Sequence, residues 1–248
     1  MGGGAERNAI PGYDLPAWQV LSHELTAPLR SSALRALGAF ANVFAAESFV
    51  DELAHAGGCD ALAWRQRHLA HDPRARAVLD LAAERAGWSK RQPGEGCGQG
   101  LAFARYKGNG AWCAVVAEVE AGAQLLVRRL TIAVDVGLAV NPDGVVAQIE
   151  GGAIQATSWA LKEAVQFDAE RITSDAWARY PILRFSEVPA VDVHLVPSDA
   201  PSLGAGEASL GPTAAAIANA LFDALGVRVR ELPLTAEHIV AAMDDMAH

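Results

Sequence analysis

Two apolar runs, AWCAVVAEVE (111–120) and LLVRRLTIAVDVG (125–137), constrain the fold of this chain more than any other feature. Both are rich in β-branched residues and either alternate or run continuously apolar, as adjacent strands do. The glycine-containing turn at 121–123 predicts that they form a hairpin. On either side the periodicity changes to that of helices. Val43, Phe44, Ala46, Phe49, Val50 and Leu53 predict a helix over 41–56 that stops at Gly57–Gly58. Asp60 is placed to cap a second helix over 61–69, and Asp72–Pro73 to open a third that ends at Gly87. Downstream, Asn141–Pro142 opens a helix expected to run to about Val165. Short strands are predicted near 179–186 and 190–197. An apolar helix is predicted over 213–225, opened by Gly211–Pro212, then a last strand in VRVRELPLT (227–235) and a closing helix over 236–246. Strands and helices mix without regular βαβ alternation, so the fold class is α+β. The expected division is a loop and helical lobe over 1–93 and an α+β lobe over 94–248.

Composition excludes several functions. The formal charge of −9, with no basic run, argues against a nucleic-acid partner. Three cysteines, none in a C-x-x-C pair, supply neither a disulfide framework nor the ligands of a zinc or iron–sulfur site, and a reduced cytoplasmic setting is the default. The histidines have no metal-ligand spacing. Residues 1–35 read as irregular, broken by Gly2–Gly4, Pro11, Gly12 and Pro16. They show no secretory signal and suggest that the elements normally preceding such a loop are missing. No stretch is long and apolar enough to span a membrane.

Three features are candidates for chemistry, and two more read as structural. In the helix of 141–163, Gln148, Gly152 and Gln155 fall at i, i+4 and i+7 and share a face. Gly151 and Gly152 lie in its interior, where each costs roughly 1 kcal/mol relative to alanine. Either a ligand lies against bare backbone with the two amides bonded to it, or the glycines allow tight packing and the glutamines bond a neighbouring loop. In GAGEASLGP (204–212), Gly204, Ala205 and Gly206 lead to Glu207. The glycines allow φ > 0, and a crowded carboxyl there has its pKa raised and serves as a general base. The alternative is a solvated surface turn. Arg35, before Gly38, either meets a phosphate or other bidentate acceptor or pairs with Glu47. Gln99, between Gly98 and Gly100, reads as the lead-in to the strand pair. Asp135, at the end of an apolar strand, reads as structural.

LRALGAFANVFAAESFVDELA (34–54), VDVGLAVNPDGVVAQIEGGAIQATSWALKE (134–163) and GAGEASLGPTAAAIANALFDALGVRVRELPLT (204–235), in that order, resemble the large subunits of molybdenum hydroxylases, the xanthine dehydrogenase and aldehyde oxidase family. The branch most resembled contains isoquinoline oxidoreductase and nicotinate dehydrogenase. The resemblance implies that Glu207 is the base that deprotonates a Mo–OH group, whose oxygen then adds to an N-heteroaromatic or aldehyde carbon. It implies that Gln148, Gly151, Gly152, Gln155 and, less closely matched, Arg35 contact a molybdopterin cofactor in its cytosine dinucleotide form. Gly204, Ala205 and Gly206, with Ala208 and Ser209, line the metal's coordination shell without a protein ligand to the metal. The family subunit is far longer. The resemblance therefore implies partner chains: one supplying the N-terminal half of the molybdenum domain and one carrying 2Fe-2S clusters. The alternative is an inactive remnant or structural subunit of such a complex; an unrelated acid/base enzyme using Glu207 ranks last.

Overall fold

The computed structural model describes residues 4–23, 25–30, 32–90 and 94–246. Among the described residues four strands form one sheet in sequence order: β1 (Cys97–Arg105), β2 (Trp112–Ala121), β3 (Leu125–Asp135) and β4 (Ala190–Leu195). The first three are antiparallel neighbours, and β4 joins β3 in parallel. The predicted hairpin is β2–β3. Among the described residues six helices accompany the sheet: α1 (Ala39–Ala56), α2 (Ala61–His68), α3 (Pro73–Ala86), α4 (Pro142–Leu161), α5 (Leu210–Leu225) and α6 (Ala236–Met246). Among the described residues, no helix is long and apolar enough to cross a membrane.

The centre of the sheet, β1 from Gly100 to Ala104, β2 from Trp112 to Ala117 and β3 from Leu130 to Asp135, is buried on both faces, which is why these stretches read as nearly continuous apolar runs. Cys113, Val115, Ala117, Leu130, Ile132 and Val134 face a core shared with α4 and α5. The intervening Trp112, Ala114, Val116 and Ala133 face a second core against α3, with Val78, Leu79 and Trp64. Helix α5 is buried all round over Leu210–Leu221, as a central helix must be. Its backbone lies directly on β1. A Cβ at Gly98 would collide with Ala220 O and lie 2.6 Å from Ala224 N, and one at Gly100 would collide with Ala220 N and Ala216 O. The close approach uses a stripe of glycines on the strand and Ala216, Ala220 and Ala224, one turn apart, on the helix.

Strand β1 is also an edge strand, and side chains close its outer edge. Gln99 N donates to Asp223 Oδ2 at 2.9 Å, Leu101 O accepts from Asn219 Nδ2 at 3.0 Å, and Phe103 N donates to Glu47 Oε2 at 2.8 Å. Leu101 O and Phe103 N would otherwise be unpaired backbone in the interior. Glu47 is 2 % exposed, and Arg65 Nε (2.9 Å) and Tyr13 OH (2.5 Å) also bond it, so this buried carboxyl is paired and hydrogen-bonded.

Helix starts follow their caps. Asp60 accepts from Leu62 N and Ala63 N, Asp72 from Arg74 N and Ala75 N, and Asn141 from Gly144 N. Five expectations are corrected. The GQG segment is no lead-in but part of β1. Helix α4 ends at Leu161 rather than near Val165, because Ser158 O takes both Lys162 N and Glu163 N while Ser158 Oγ accepts Leu183 N from the returning chain. No strand forms at 179–186: Tyr180 OH bonds Glu163, and residues 185–187 form a single 3₁₀ turn. Residues 227–235 are irregular. Their alternation is real, with Val227 and Val229 in the core and Arg228 and Arg230 reaching Asp51 and Glu52 of α1, but no strand lies beside them. Helix α5 also starts three residues before expected, with Gly211 and Pro212 in its first turn, where proline loses no hydrogen bond.

Gly100→Ala is expected to push α5 off β1 and cost about 1–3 kcal/mol or more by overpacking. Gly122→Ala, whose Cβ meets nothing within 4 Å, is expected to change stability by less than about 0.5 kcal/mol. Urea unfolding of the two variants checks the difference.

Candidate functional site

The loop before α5 meets three other elements. The start of α1 lies across the first turn of α5, so that a Cβ on Gly211 would sit 2.7 Å from Val43 Cβ. The middle of α4 lies beside the same turn, and the end of β1 comes up from below. Glu207 stands where they meet, partly buried. Its Oε1 accepts from Ala36 N at 2.9 Å and its Oε2 from Tyr106 OH at 2.6 Å.

Arg35 joins the loop to α4. Its Nε donates to Gly206 O (2.5 Å), Nη1 to Gln155 Oε1 (3.3 Å), and Nη2 to Gln148 O (3.0 Å) and Gln148 Oε1 (3.2 Å). Arg35 therefore does not pair with Glu47, which belongs to Arg65. One guanidinium fork meets four oxygens, a task lysine has no geometry for.

The glycine doublet splits. Gly152 is buried, and a Cβ there would collide with Ser209 Oγ and lie 3.1 Å from Leu210 Cδ1. Ser209 Oγ uses the space to donate to Ile149 O at 2.9 Å. Gly152 is thus required by packing. Gly151 is exposed, and a Cβ there would have Arg35 Nη1 as its nearest neighbour at 3.8 Å, an ordinary contact. Nothing among the described residues requires glycine there.

Two expectations about Glu207 are corrected. Gly204 and Gly206 do not adopt positive φ; the left-handed residues are on the facing loop, Ala36 (φ 74°) and Leu37 (φ 49°). Their conformation turns Ala36 N–H toward the carboxylate. Glu207 also titrates below, not above, the usual carboxylate range. Burial raises it, but the Tyr106 hydrogen bond, the Ala36 amide, and the charges of Lys107 and Arg7 together outweigh burial. Tyr106 is pushed up to about 12, first by burial and then by Glu207, so it remains a donor at neutral pH.

Gly204 is exposed with nothing within 4 Å of a Cβ there, and it joins the cluster only through the chain. Ala205, Gly206 and Gln148 line one end of a groove of about 440 Å³, whose other walls are residues 136–141 and the first turns of α4. A larger cavity, about 510 Å³, opens around Tyr13, His71, Arg74 and Trp112, and none of the cofactor-binding or catalytic candidates lines it. Asp135 beside it is structural, bonded twice by Arg74 and once by Gly137 N. Gln99 likewise bonds Ala86 O. Among the described residues no His, Cys, Asp and Glu cluster suits a metal ion.

Sequence reasoning missed Tyr106, Arg7, Lys107 and Asn8. The one available signal was ARYKGNG (104–110), a tyrosine between cations just before a pair of glycines.

Comparison with known proteins bears on this arrangement. Residues 32–189 match the profile of the molybdopterin cofactor-binding domain, a match that includes Arg35, Tyr106 and the α4 glutamines and ends before Glu207. The chain is 44 % identical to the B subunit of nicotinate dehydrogenase from Pseudomonas putida over 96 % of its own length and 22 % of the relative's. It is 36 % identical to the beta subunit of isoquinoline 1-oxidoreductase from Brevundimonas diminuta, over 90 % of its length and 29 % of the relative's. It therefore spans less than a third of the curated relatives it matches. The aldehyde oxidoreductase of Desulfovibrio gigas superposes with a TM-score of 0.70 over 86 % of this chain and 42 % of that one; at 16 % identity this likeness shows the fold alone.

Gly152→Ala is expected to destabilise the chain by about 1–3 kcal/mol through the clash with Ser209. Gly151→Ala is expected to stabilise it by up to about 1 kcal/mol through helix propensity. Thermal unfolding of the two variants, which differ by one position in the same helix, checks the sign of each.

Proposed function

The chain belongs to the molybdopterin cofactor-binding domain family, and from that premise we propose that it builds one wall of the active site of a molybdenum hydroxylase, with Glu207 as the general base. The observation that carries this reading is Gly151. An exposed glycine in a helix interior, flanked by Gln148 and Gln155, gives up roughly 1 kcal/mol although no close approach among the described residues requires it. A bulky ligand lying against the bare backbone accounts for it, so the residues present fit the cofactor.

In this reading Gln148 and Gln155 present amides to the hydrogen-bonding edges of the pterin, Ala205 and Gly206 line its approach, and Arg35 fixes both elements relative to one another. The cofactor, when bound, supplies the two-electron redox chemistry. The protein supplies an oriented carboxylate. Glu207, ionised at neutral pH, takes up the proton released as oxygen is added to an aldehyde or N-heteroaromatic carbon, on a lone pair that neither Ala36 nor Tyr106 uses.

We further propose that the cofactor is the cytosine dinucleotide form, that residues 94–248 carry most of the cofactor contacts, and that the assembly works in the cytoplasm. The remainder of the molybdenum domain and the 2Fe-2S clusters come from partner polypeptide. Leu138 and Val140, 51 % and 82 % exposed at the groove's edge, and Leu34, 67 % exposed beside Arg35, form apolar surface that such a partner would cover.

Glu207→Gln in the assembled complex is expected to lower turnover by about 10²–10⁴-fold while metal and pterin content stay at the unmutated level. Metal and pterin analysis of the complex, purified after co-expression with the partner genes, is run beside the turnover assay. Full turnover in the variant would remove Glu207 as the base. In the same complex Gly151→Ala, although stabilising to the chain, is expected to reduce cofactor retention.

A further inference from the structure

We propose that Tyr106, oriented by Arg7, is the positioning residue for Glu207; its catalytic consequence rests on the reading of Glu207 as the base, but the geometry does not. Glu207 sits in a loop, and among the described residues two groups hydrogen-bond its carboxylate. One is the backbone amide of Ala36. The other is the Tyr106 hydroxyl, at 2.6 Å, and this is the one that a side-chain substitution can remove.

The direction of that bond is set by chemistry. Arg7 Nη1 lies 2.8 Å from the same phenol oxygen. A guanidinium only donates, so the phenol oxygen accepts from Arg7, and its single hydrogen is left for Glu207 Oε2. A hydroxyl pointed at a carboxylate favours the ionised carboxylate and fixes its rotation.

The pair is itself held on both sides. Asn8 Nδ2 donates to Arg105 O at 2.9 Å and Asn8 Oδ1 accepts from Lys107 N at 2.8 Å, so one amide clamps both neighbours of Tyr106. Asn42 Nδ2 of α1 donates to Ala5 O at 2.7 Å and Arg7 O at 2.9 Å, fixing the segment that delivers Arg7. Tyr106 N donates to Ala111 O and Tyr106 O accepts from Gly110 N. The segment of residues 4–8, which carries nothing catalytic, thus sets the orientation of Glu207 through one arginine and one tyrosine.

The groups that act on Glu207 are Tyr106 and Lys107 from the end of β1, Arg7 from the first segment, and Arg35 and the Ala36 amide from the turn before α1. Helix α4 reaches it through Arg35 with the uncharged Gln148 and Gln155. Because the folded-state pKa of Glu207 is depressed, the stabilisation it contributes is present above the carboxylate's unfolded value and is lost as pH falls through the folded value.

The test is a pH titration of the 248-residue chain by ¹³C NMR with labelled glutamate carboxyls, the Glu207 signal being assigned by its loss in Glu207→Gln. Tyr106→Phe is expected to raise the Glu207 pKa by about one unit, within the ordinary spread of carboxylates in folded proteins. Arg7→Met is expected to raise it by less, and Arg7→Lys to restore most of the change. In the assembled enzyme the acid limb of the kcat/KM profile is expected to move in the same direction. If the Glu207 titration is unmoved in both Tyr106→Phe and Arg7→Met while their amide spectra remain native, the proposal is overturned. Should Tyr106→Phe fail to fold, Arg7→Met and Arg7→Lys decide it alone. Full turnover in Glu207→Gln together with a shifted titration would sink the base and leave the positioning intact.

Discussion

The contact of α5's backbone with β1 fixes where everything else can be. Gly98 faces Ala220 and Ala224, and Gly100 faces Ala216 and Ala220, so strand and helix run in opposite directions with a defined register. From Gly100 the strand needs about 20 Å to reach Tyr106 at ~3.3 Å per residue. From residue 218 the helix and its leading turn need about 16 Å to reach Glu207 at ~1.5 Å per residue. The two lengths nearly match, and that match lets a tyrosine at the strand's end touch a glutamate ahead of the helix. A larger residue at either glycine would separate these groups without touching either one.

At that meeting point, burial and charge oppose each other, and charge wins. Burial alone pushes the Glu207 carboxyl up. Two short hydrogen bonds and two nearby cations reverse the sign, since each stabilises only the ionised form. The arrangement is held against strain. Ala36 and Leu37 both occupy left-handed conformations, which cost L-residues about 1–2 kcal/mol each. Ala36 N–H is thereby spent on Glu207 and not on the first turn of α1, whereas Gly38 donates to Gly4 O beneath the first segment. Strain of this kind persists where surrounding contacts over-determine it, and Arg35, Gly38 and Asn42 supply those contacts.

The helices were legible because their ends carry short-range chemistry: Asp60, Asp72 and Asn141 each bond amides two or three residues on. The hairpin was legible because both of its faces are buried. Strand β1 was not, since its two glycines read as a break; they are instead the mark of a helix lying on the strand, a contact between residues more than a hundred positions apart. The Val-Arg-Val-Arg alternation misled for a related reason. Period-two burial reports which side of the chain faces the core, and a strand also needs a neighbour to bond. Arg35, Gln148, Gln155 and Glu207 were legible as a group only through resemblance to a family. Tyr106 and Arg7 were not legible as part of the site: ARYKGNG marks a tyrosine between cations, but neither it nor a residue seven positions into an irregular segment has a spacing that links it to position 207.

The glycine doublet separates what the sequence left joined. Tight packing and a ligand on bare backbone were competing accounts of Gly151–Gly152 as a unit, and the two residues answer to them differently. Gly152 makes room for Ser209, whose hydroxyl bonds the carbonyl of Ile149 and sets the loop before α5 against α4. That is packing, and it would be needed in a chain with no cofactor. Gly151, one position earlier and turned outward by about 100° of helix, makes no such contact. A helix of 20 residues capped by Asn141 and Pro142 tolerates one unexplained glycine at roughly 1 kcal/mol. It gains nothing from it unless something outside the chain approaches the backbone between two glutamines. On the reading proposed above, the packing residue places Glu207 and the open residue marks where its cofactor lies.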